Sequence, residues 1–79
     1  MSSKLYEIIS KVFNFPISEI TDSTKPEDIP SWTSFNGYVL LYELETNFDV
    51  KFSIDEVTDV KSITAIKRHL KNHGVQLDD

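Results

Sequence analysis

The strongest helical pattern of the chain lies in residues 34–48, which read SFNGYVLLYELETNF. At 100° of rotation per residue, one side of this helix carries Leu40, Leu41, Leu44 and Phe48. The opposite side carries a second apolar set, which we call the outer stripe: Phe35, Tyr38, Val39 and Tyr42. A helix that is apolar on two opposite faces is either enclosed by its own fold on both sides or binds a partner through one of them. Because a small chain cannot easily enclose both faces, the sequence predicts a partly exposed outer stripe.

Three further helices are predicted on either side of this one. Apolar residues recur at helical spacing in about residues 3–14, and Pro16 ends that helix because proline disfavours a helical conformation at the residue before it. A short third helix is predicted over residues 54–58 and a last helix over about residues 62–73. The predicted fold class is all-α: a single domain over residues 1–79 that forms a small four-helix bundle.

The first two predicted helices are joined by a long loop, about residues 16–32, which contains all three prolines of the chain. Four apolar residues are expected to anchor this loop to the core: Ile17, Ile20, Ile29 and Trp32. A loop of this length in a small domain is usually functional. A later connector, residues 50–54, is expected to insert Val50, Phe52 and Ile54 into the core.

Composition excludes several classes of protein. The 79 residues include no cysteine, and 13 acidic against 8 basic side chains give a formal net charge of -5. Disulfides, thiolate metal sites and a thiol nucleophile of the chain's own are thereby excluded. The acidic balance argues against nucleic acid, since phosphates are bound by Lys and Arg. The longest strictly apolar run, residues 39–41, is too short for a membrane span, and the first residues lack the apolar segment of a signal peptide. We expect no membrane insertion and a cytoplasmic location.

Charges are segregated along the chain. Residues 41–60 contain six acids and one base, whereas residues 61–74 contain four bases and no acid. The acidic segment either forms a solvated face or steers a basic partner, and charge alone does not separate these two interpretations.

Two histidines, His69 and His73, are four residues apart on the predicted last helix, a spacing that can place both on one metal ion. Lys67, Arg68 and Lys71 surround them and no acid lies on that helix, so we expect two surface histidines. With two glycines the chain also lacks a glycine-rich phosphate loop. An enzyme is not expected, and a metal-dependent enzyme is the remote alternative.

The best candidate site is the junction between the long loop and the strongest helix, residues 31–37, which read SWTSFNG. Thr33 or Ser34 must cap or open the helix, and the free N–H groups of a helix start favour a phosphate attached to a hydroxyl. Gly37 costs about 1 kcal/mol relative to alanine, so packing or a close approach is expected to explain it. On the residues alone, two hydroxyls that merely cap the helix are the simpler interpretation.

At this junction the chain resembles the acyl carrier proteins, whose signature is Asp-Ser-Leu at the start of the second helix. The matching run is Trp32-Thr33-Ser34-Phe35, followed at corresponding spacings by Leu40, Leu44-Glu45 and Phe48-Asp49. The short third helix and residues 62–66, SITAI, also resemble the ending of that family. The resemblance covers nearly the whole chain and implies the same four-helix bundle.

The resemblance implies that Ser34 is the attachment point of 4′-phosphopantetheine, transferred from coenzyme A by a phosphopantetheinyl transferase. The arm ends in a thiol, which would let a chain without cysteine carry acyl groups as thioesters. The chain itself would catalyse nothing. It would present its cargo, as a monomer, to acyl-(acyl carrier protein) synthetases, acyltransferases or ketosynthase-type enzymes.

Four departures from the family pattern favour a specialised member, serving a particular acyl-transfer, lipid or polyketide-type pathway rather than bulk fatty-acid biosynthesis. Thr33 replaces the usual Asp, Phe35 replaces the usual Leu, and Asn36 and Val39 stand where partner-facing acids are common. We therefore expect a dedicated partner that contacts the outer stripe and is steered by the remaining acids. The predicted interface comprises Phe35, Tyr38, Val39, Tyr42, Glu43, Glu45, Asp55 and Glu56.

The cargo and two alternative functions stay open on the sequence. Candidate walls for a sheltered acyl chain are Phe48, Phe52, Ile54, Val57, Ile63 and Ile66, although core packing is the favoured interpretation for each of them. A peptidyl or amino-acyl carrier for modular synthesis would use Ser34 in the same way with another cargo. An unmodified helical adaptor would use the outer stripe and would have no need of Ser34.

Overall fold

Four α-helices and two short 3-10 turns form the described part of the chain, which is residues 3–77 of a computed structural model. The helices are α1 (Ser3–Phe13), α2 (Ser34–Phe48), α3 (Ile54–Thr58) and α4 (Ile63–Asn72). The 3-10 turns, Ile17–Glu19 and Pro26–Asp28, lie between α1 and α2. No strand occurs within the described residues, and the predicted all-α four-helix bundle with a short third helix is confirmed.

Residues with positive φ follow three of the helices. Asn14 has φ 51° and Asp49 has φ 54°, in the left-handed region that Asn and Asp tolerate better than most residues. Beyond Asn14, the N–H of Phe15 donates to the Ser10 carbonyl at 3.1 Å. Gly74, with φ 85°, follows the last helix. These positions end the helices where the sequence pattern predicts their ends.

The hydrophobic core lies where α1, α2, α4 and the long loop meet. Its fully buried side chains are Leu5, Ile9, Ile29, Leu40, Leu44, Ile63, Ile66 and Leu70. The short helix α3 contributes no buried residue. The apolar face predicted for the strongest helix therefore faces the core, whereas α3 lies at its edge.

Apolar anchors hold the long loop at three of the four predicted positions. Ile20 and Ile29 are buried, and Trp32 is partly buried against the core. The prediction for Ile17 is wrong, because its side chain is 44% exposed. Ile17 begins a 3-10 turn that has no buried residue, which turns it away from the core.

Polar contacts, which the sequence pattern did not reveal, tie the middle of the loop to α1 and α4. The Asp22 carboxylate lies 2.6 Å from the buried Lys67 ammonium and accepts a hydrogen bond from the Tyr6 hydroxyl. The hydrogen bonds from Lys67 and Tyr6 lower the pKa of Asp22, while burial raises the pKa of Tyr6. The Thr64 hydroxyl also donates to the Asp22 carbonyl at 2.7 Å. The loop is therefore a fixed part of the fold.

The connector after α2 inserts two of its three predicted side chains. Val50 and Phe52 are partly buried and pack against the core. The prediction for Ile54 is wrong, because its side chain is 83% exposed. Ile54 begins α3 directly after the N-cap Ser53, so the alternation of an extended segment ends there and the side chain turns outward.

Candidate functional site

Ser34 is the first residue of α2 and is exposed. Its neighbour Thr33 is the N-cap, since the Thr33 hydroxyl oxygen accepts a hydrogen bond from the Asn36 backbone N–H at 3.2 Å. Thr33 thus performs the capping that the sequence left open between the two hydroxyls. Within residues 3–77 the Ser34 hydroxyl has no hydrogen-bond partner, so it remains accessible for chemistry.

A series of hydrogen bonds holds the start of α2 against the end of α1. The Asn36 side-chain amide donates to the Ser31 carbonyl at 2.8 Å, and the Ser31 hydroxyl donates to the Phe13 carbonyl at 2.6 Å. Asn36 is half-buried and supports the fold. These contacts hold the N-terminal end of α2, and with it Ser34, in place against the end of α1.

Trp32 packs beside this junction. Its ring stacks on Phe13, with ring centroids 4.9 Å apart and an interplanar angle of 26°. Gly37 lies next to the indole: a Cβ there would lie 3.5 Å from Nε1 and 3.8 Å from Cδ1. The expectation that packing or a close approach explains Gly37 is wrong. Both distances are ordinary van der Waals contacts, so the fold would accept alanine at this position.

A cavity of about 260 Å³ opens beside Ser34, between the long loop, α2 and α3. The residues that shape it are Trp32, Gly37, Leu41, Val57 and Val60. The loop, α2 and the α3 region each contribute to this lining, so the cavity exists only in the folded chain. The sequence placed Trp32, Ser34 and Gly37 in one junction, but it did not predict that residues near α3 meet them.

The six candidate walls of a cargo site lie in different surroundings. Of those six residues, Val57 lines the cavity beside Ser34. Ile63 and Ile66 are fully buried in the core, whereas Ile54 is exposed. Phe48 and Phe52 are partly buried and pack against the core. Helical spacing alone cannot tell core packing from a cavity wall, because both use apolar residues on an inner face.

The outer stripe is exposed at its three aromatic positions, as predicted. Phe35 is 75% exposed, Tyr38 63% and Tyr42 65%. Val39 is half-buried and faces a second depression, of about 430 Å³, between α1 and α2. Val39 therefore differs from the aromatic residues in its surroundings, and the exposed part of the stripe is the aromatic part.

The four acids of the predicted interface have different environments. The Glu45 carboxylate accepts a hydrogen bond from the Phe52 N–H at 2.8 Å, so it supports the connector after α2. Glu43 is half-buried and lines the depression between α1 and α2. Asp55 is exposed. Glu56 accepts a hydrogen bond from the Ser53 N–H at 2.8 Å, and this bond is the largest cause of the lowered pKa of Glu56.

The two histidines contact an acid on α3 and the acid that is its C-cap, which the sequence did not predict. His73 Nε2 lies 2.8 Å from a Glu56 carboxylate oxygen, and His69 Nε2 lies 3.0 Å from Asp59 Oδ2. The contact with His69 is the largest cause of the lowered pKa of Asp59. No group of three or more side chains suited to a metal ion occurs among residues 3–77. The cluster therefore joins α3 and its C-cap to the end of α4 through polar side-chain contacts. Two acids three residues apart, followed by two histidines four residues apart, would have been its sequence signal.

Comparisons with known proteins assign no family to this chain. No model of a known protein family matches it, and no curated protein matches its sequence. None of the helices in the described part of the chain is long and apolar enough to cross a membrane.

Proposed function

We propose that this chain is a specialised acyl carrier protein, which holds acyl intermediates as thioesters on a 4′-phosphopantetheine arm attached to Ser34. One observation carries the proposal: Ser34 is exposed, its hydroxyl has no partner among the described residues, and its neighbour caps the helix. The four-helix order and the residues around Ser34 that resemble acyl carrier proteins support it.

The residues around Ser34 fit a phosphodiester at this position. The first-turn N–H groups and the positive end of the α2 macrodipole favour the negative charge of a phosphodiester attached to the Ser34 oxygen. In the attachment reaction the Ser34 oxygen forms the bond to phosphorus, its proton goes to a base of the transferase, and adenosine 3′,5′-bisphosphate leaves. The thiol of the arm would supply the thioester chemistry that the chain lacks, since it contains no cysteine.

The exposed aromatic residues of α2 are the proposed contact with a dedicated partner enzyme. Phe35, Tyr38 and Tyr42 lie along one face of the helix that Ser34 begins. Large exposed aromatic side chains are typical anchors of protein interfaces. A phosphopantetheinyl transferase, acyl-(acyl carrier protein) synthetase, acyltransferase or ketosynthase-type enzyme that binds this face would meet the arm at its attachment point. The proposal includes a cytoplasmic location and a monomeric state.

The test is the intact mass of the protein after incubation with coenzyme A and a broad-specificity phosphopantetheinyl transferase. We expect one added phosphopantetheine group on the wild-type chain and none on Ser34→Ala. The matched control is Ser18→Ala, which removes an exposed serine from the long loop and should be labelled like wild type. Absence of any adduct, or equal labelling of Ser34→Ala, would show that Ser34 is not a carrier site.

A helical adaptor is the second candidate function, and the exposure of Phe35, Tyr38 and Tyr42 favours it. An adaptor would bind its partner equally well in wild type and Ser34→Ala, whereas Tyr38→Ser would weaken binding. A carrier would lose its productive partner reaction in Ser34→Ala. A peptidyl or amino-acyl carrier would be distinguished by loading: an amino-acyl thioester, rather than a fatty acyl one, would accumulate with its cognate ligase.

A further inference from the structure

The depression between α1 and α2 shares no residue with the cavity beside Ser34. It has a volume of about 430 Å³ and is lined by Ile8, Lys11, Val12, Val39, Glu43 and Asn47. At one end, the Lys4 ammonium of α1 donates to the Asn47 carbonyl of α2 at 3.1 Å. At the other end, the Phe13 ring of α1 stacks on Trp32, which lies shortly before α2. The two helices are therefore antiparallel, and the depression follows both of them.

The floor of the depression is apolar. Ile8 is 9% exposed, and Val12 and Val39 are half-buried. Between Val39 and Asn47, α2 advances about 12 Å at 1.5 Å per residue, which is roughly two helical turns. The volume is that of a few aliphatic side chains. An apolar floor of this length between two helices suits the apolar stripe of a third helix.

The two rims of the depression carry opposite charges that the fold does not use. Lys11 on α1 is exposed and Glu43 on α2 is half-buried, and neither side chain has an ion-pair partner among residues 3–77. Lys4, in contrast, donates to a backbone carbonyl and lies 5.1 Å from the centroid of the Phe48 ring. Opposite charges that meet across a partly desolvated contact attract more strongly than in bulk water. The rims therefore favour a ligand with a cation toward α2 and an anion toward α1.

We propose that the depression between α1 and α2 binds an amphipathic helix of a partner protein. The apolar stripe of that helix covers the floor, its basic flank faces Glu43, and its acidic flank faces Lys11. The described helices of this chain offer no such stripe: α1 and α4 bury their apolar sides in the core, and α2 contains no base. The occupant is therefore another protein rather than a second copy of this chain.

This surface is separate from the exposed aromatic residues that are proposed to meet partner enzymes. Val39 and Glu43 belong to the predicted interface of α2, but they lie in the depression with α1, beside the aromatic face. The inference therefore does not depend on the carrier function. It adds a second partner, which is held by α1 and α2 together.

The test is the binding of a designed peptide to the full, unmodified chain. The probe is a fluorescein-labelled helix of about 18 residues, roughly 27 Å long, with leucines at helical spacing, lysines along one flank and glutamates along the other. Such a helix can lie in either direction, so only the unlike signs of the two rims matter. We expect a saturable rise in fluorescence anisotropy with protein concentration. The same peptide with serine in place of leucine should not bind.

Charge reversal at the rims distinguishes the depression from non-specific attraction. Lys11→Glu gives two acidic rims and Glu43→Lys gives two basic rims, so in each the peptide must face one like charge. The Kd should rise about two- to tenfold in each single variant. The double variant Lys11→Glu/Glu43→Lys restores unlike rims and should bind within about twofold of the wild type. The matched control Lys51→Glu makes the same change of net charge as Lys11→Glu, at an exposed position outside the depression, and should leave the Kd unchanged.

A second pair of variants tests the floor. Val39→Ser removes apolar contact and should raise the Kd about three- to tenfold. The control Tyr38→Ser removes a side chain 63% exposed on the aromatic face of the same helix and should leave the Kd unchanged. The melting temperature of each variant verifies that it is folded.

Saturable binding, restored in the double charge variant and weakened in Val39→Ser, supports the proposal. It is overturned if the wild type shows no saturable binding, or if the double variant binds no better than the single ones. Weakening in Tyr38→Ser but not in Val39→Ser would place the peptide on the aromatic face and would also overturn it. So would sedimentation of the chain alone as a dimer that Val39→Ser dissociates, because a second copy would then occupy the depression. Since the protein is unmodified, none of these outcomes depends on whether Ser34 accepts phosphopantetheine.

Discussion

Helices α2 and α3 both border the cavity beside Ser34, but different forces hold them in place. On the core side of α2, Leu40 and Leu44 have no exposed surface. Helix α3 has no buried residue, and its start is held by a capping box in which Ser53 and Glu56 bond to each other's backbone. Glu56 also contacts His73, the C-cap of α4. Full apolar burial therefore stabilises one wall of the cavity, whereas the other combines exposed polar contacts with the partly buried Val57.

This difference indicates which wall of the cavity moves more readily. Apolar burial contributes in proportion to area and depends little on pH, whereas partly exposed charge pairs contribute modestly and are sensitive to pH and salt. Segments with few buried apolar contacts open at a lower free energy than the whole domain. We expect α3, with Val57 on the cavity wall, to move more readily than α2, which carries Ser34.

Removal of an inner-face leucine of α2 should have the largest effect on stability. Leu44 has no exposed surface, so Leu44→Ala should lower the free energy of unfolding by about 2–5 kcal/mol. The measurement is the midpoint of urea denaturation. The matched control on the same helix is Tyr42→Ala, at a side chain 65% exposed, with an expected change within about 0.5 kcal/mol. Equal losses in both variants would remove the distinction between the two faces of α2.

Loss of the α2 cap should have the next largest effect. Thr33→Ala removes the acceptor for the Asn36 N–H and should destabilise the fold by about 1 kcal/mol, measured by the same denaturation. Ser34→Ala should cost less, because the Ser34 hydroxyl has no partner within the described residues. A larger loss in Ser34→Ala than in Thr33→Ala would reverse the assignment of cap and modification site.

Acid should weaken the polar contacts of α3 together with the Asp22 contacts of the long loop, since the pKa of Asp22 is lowered as well. The Ser53 N–H and His73 lower the pKa of Glu56, and the contact with His69 lowers that of Asp59. Because folding lowers these pKa values, their stabilisation is complete above the ordinary carboxyl range and is lost as the pH falls through the lowered values. The melting temperature should therefore fall below about pH 5.

Glu56→Gln sharpens this comparison, because it removes one of the linked carboxylates. Its melting temperature should fall less steeply with acid than that of the wild type. The matched control is Glu27→Gln, at an exposed carboxylate without such a partner among residues 3–77. If all three proteins follow the same pH profile, the contacts of α3 do not contribute to stability. Hydrogen exchange of the α3 amides, measured above and below about pH 5, would show whether the loss of stability lies in this helix.

The smallest effect is expected at the first residue of α3. Ile54 is 83% exposed, so Ile54→Ser should change the free energy of unfolding by no more than about 0.5 kcal/mol. A loss of 2 kcal/mol or more, of about the size expected for a buried apolar residue, would show that Ile54 is covered in solution. The comparison of α2 with α3 would then have to be revised.

The sequence predicted the helices well because their apolar periodicity and their end signals agree. Ser34–Phe48 and Ile54–Thr58 coincide with the predicted ranges, and Gly74 follows the last helix as expected. Exposure was harder to predict. Ile17 and Ile54 are apolar residues that the fold leaves in solvent, because each begins a new turn at the edge of the core. Burial depends on where the neighbouring element lies, which local spacing does not contain.

At the candidate site, the sequence by itself determined which functional groups are available. It placed two adjacent hydroxyls, a tryptophan and a glycine in one junction before the strongest helix, in a chain without cysteine. The structure shows that Thr33 is the cap, and only the tertiary structure decided that Val57 and Val60 complete a cavity with Trp32 and Gly37. The physical reason is the distance along the chain over which each interaction acts. Helix propensity and capping act within a few residues, whereas a cavity and the pairing of histidines with acids require segments that meet only when the core packs.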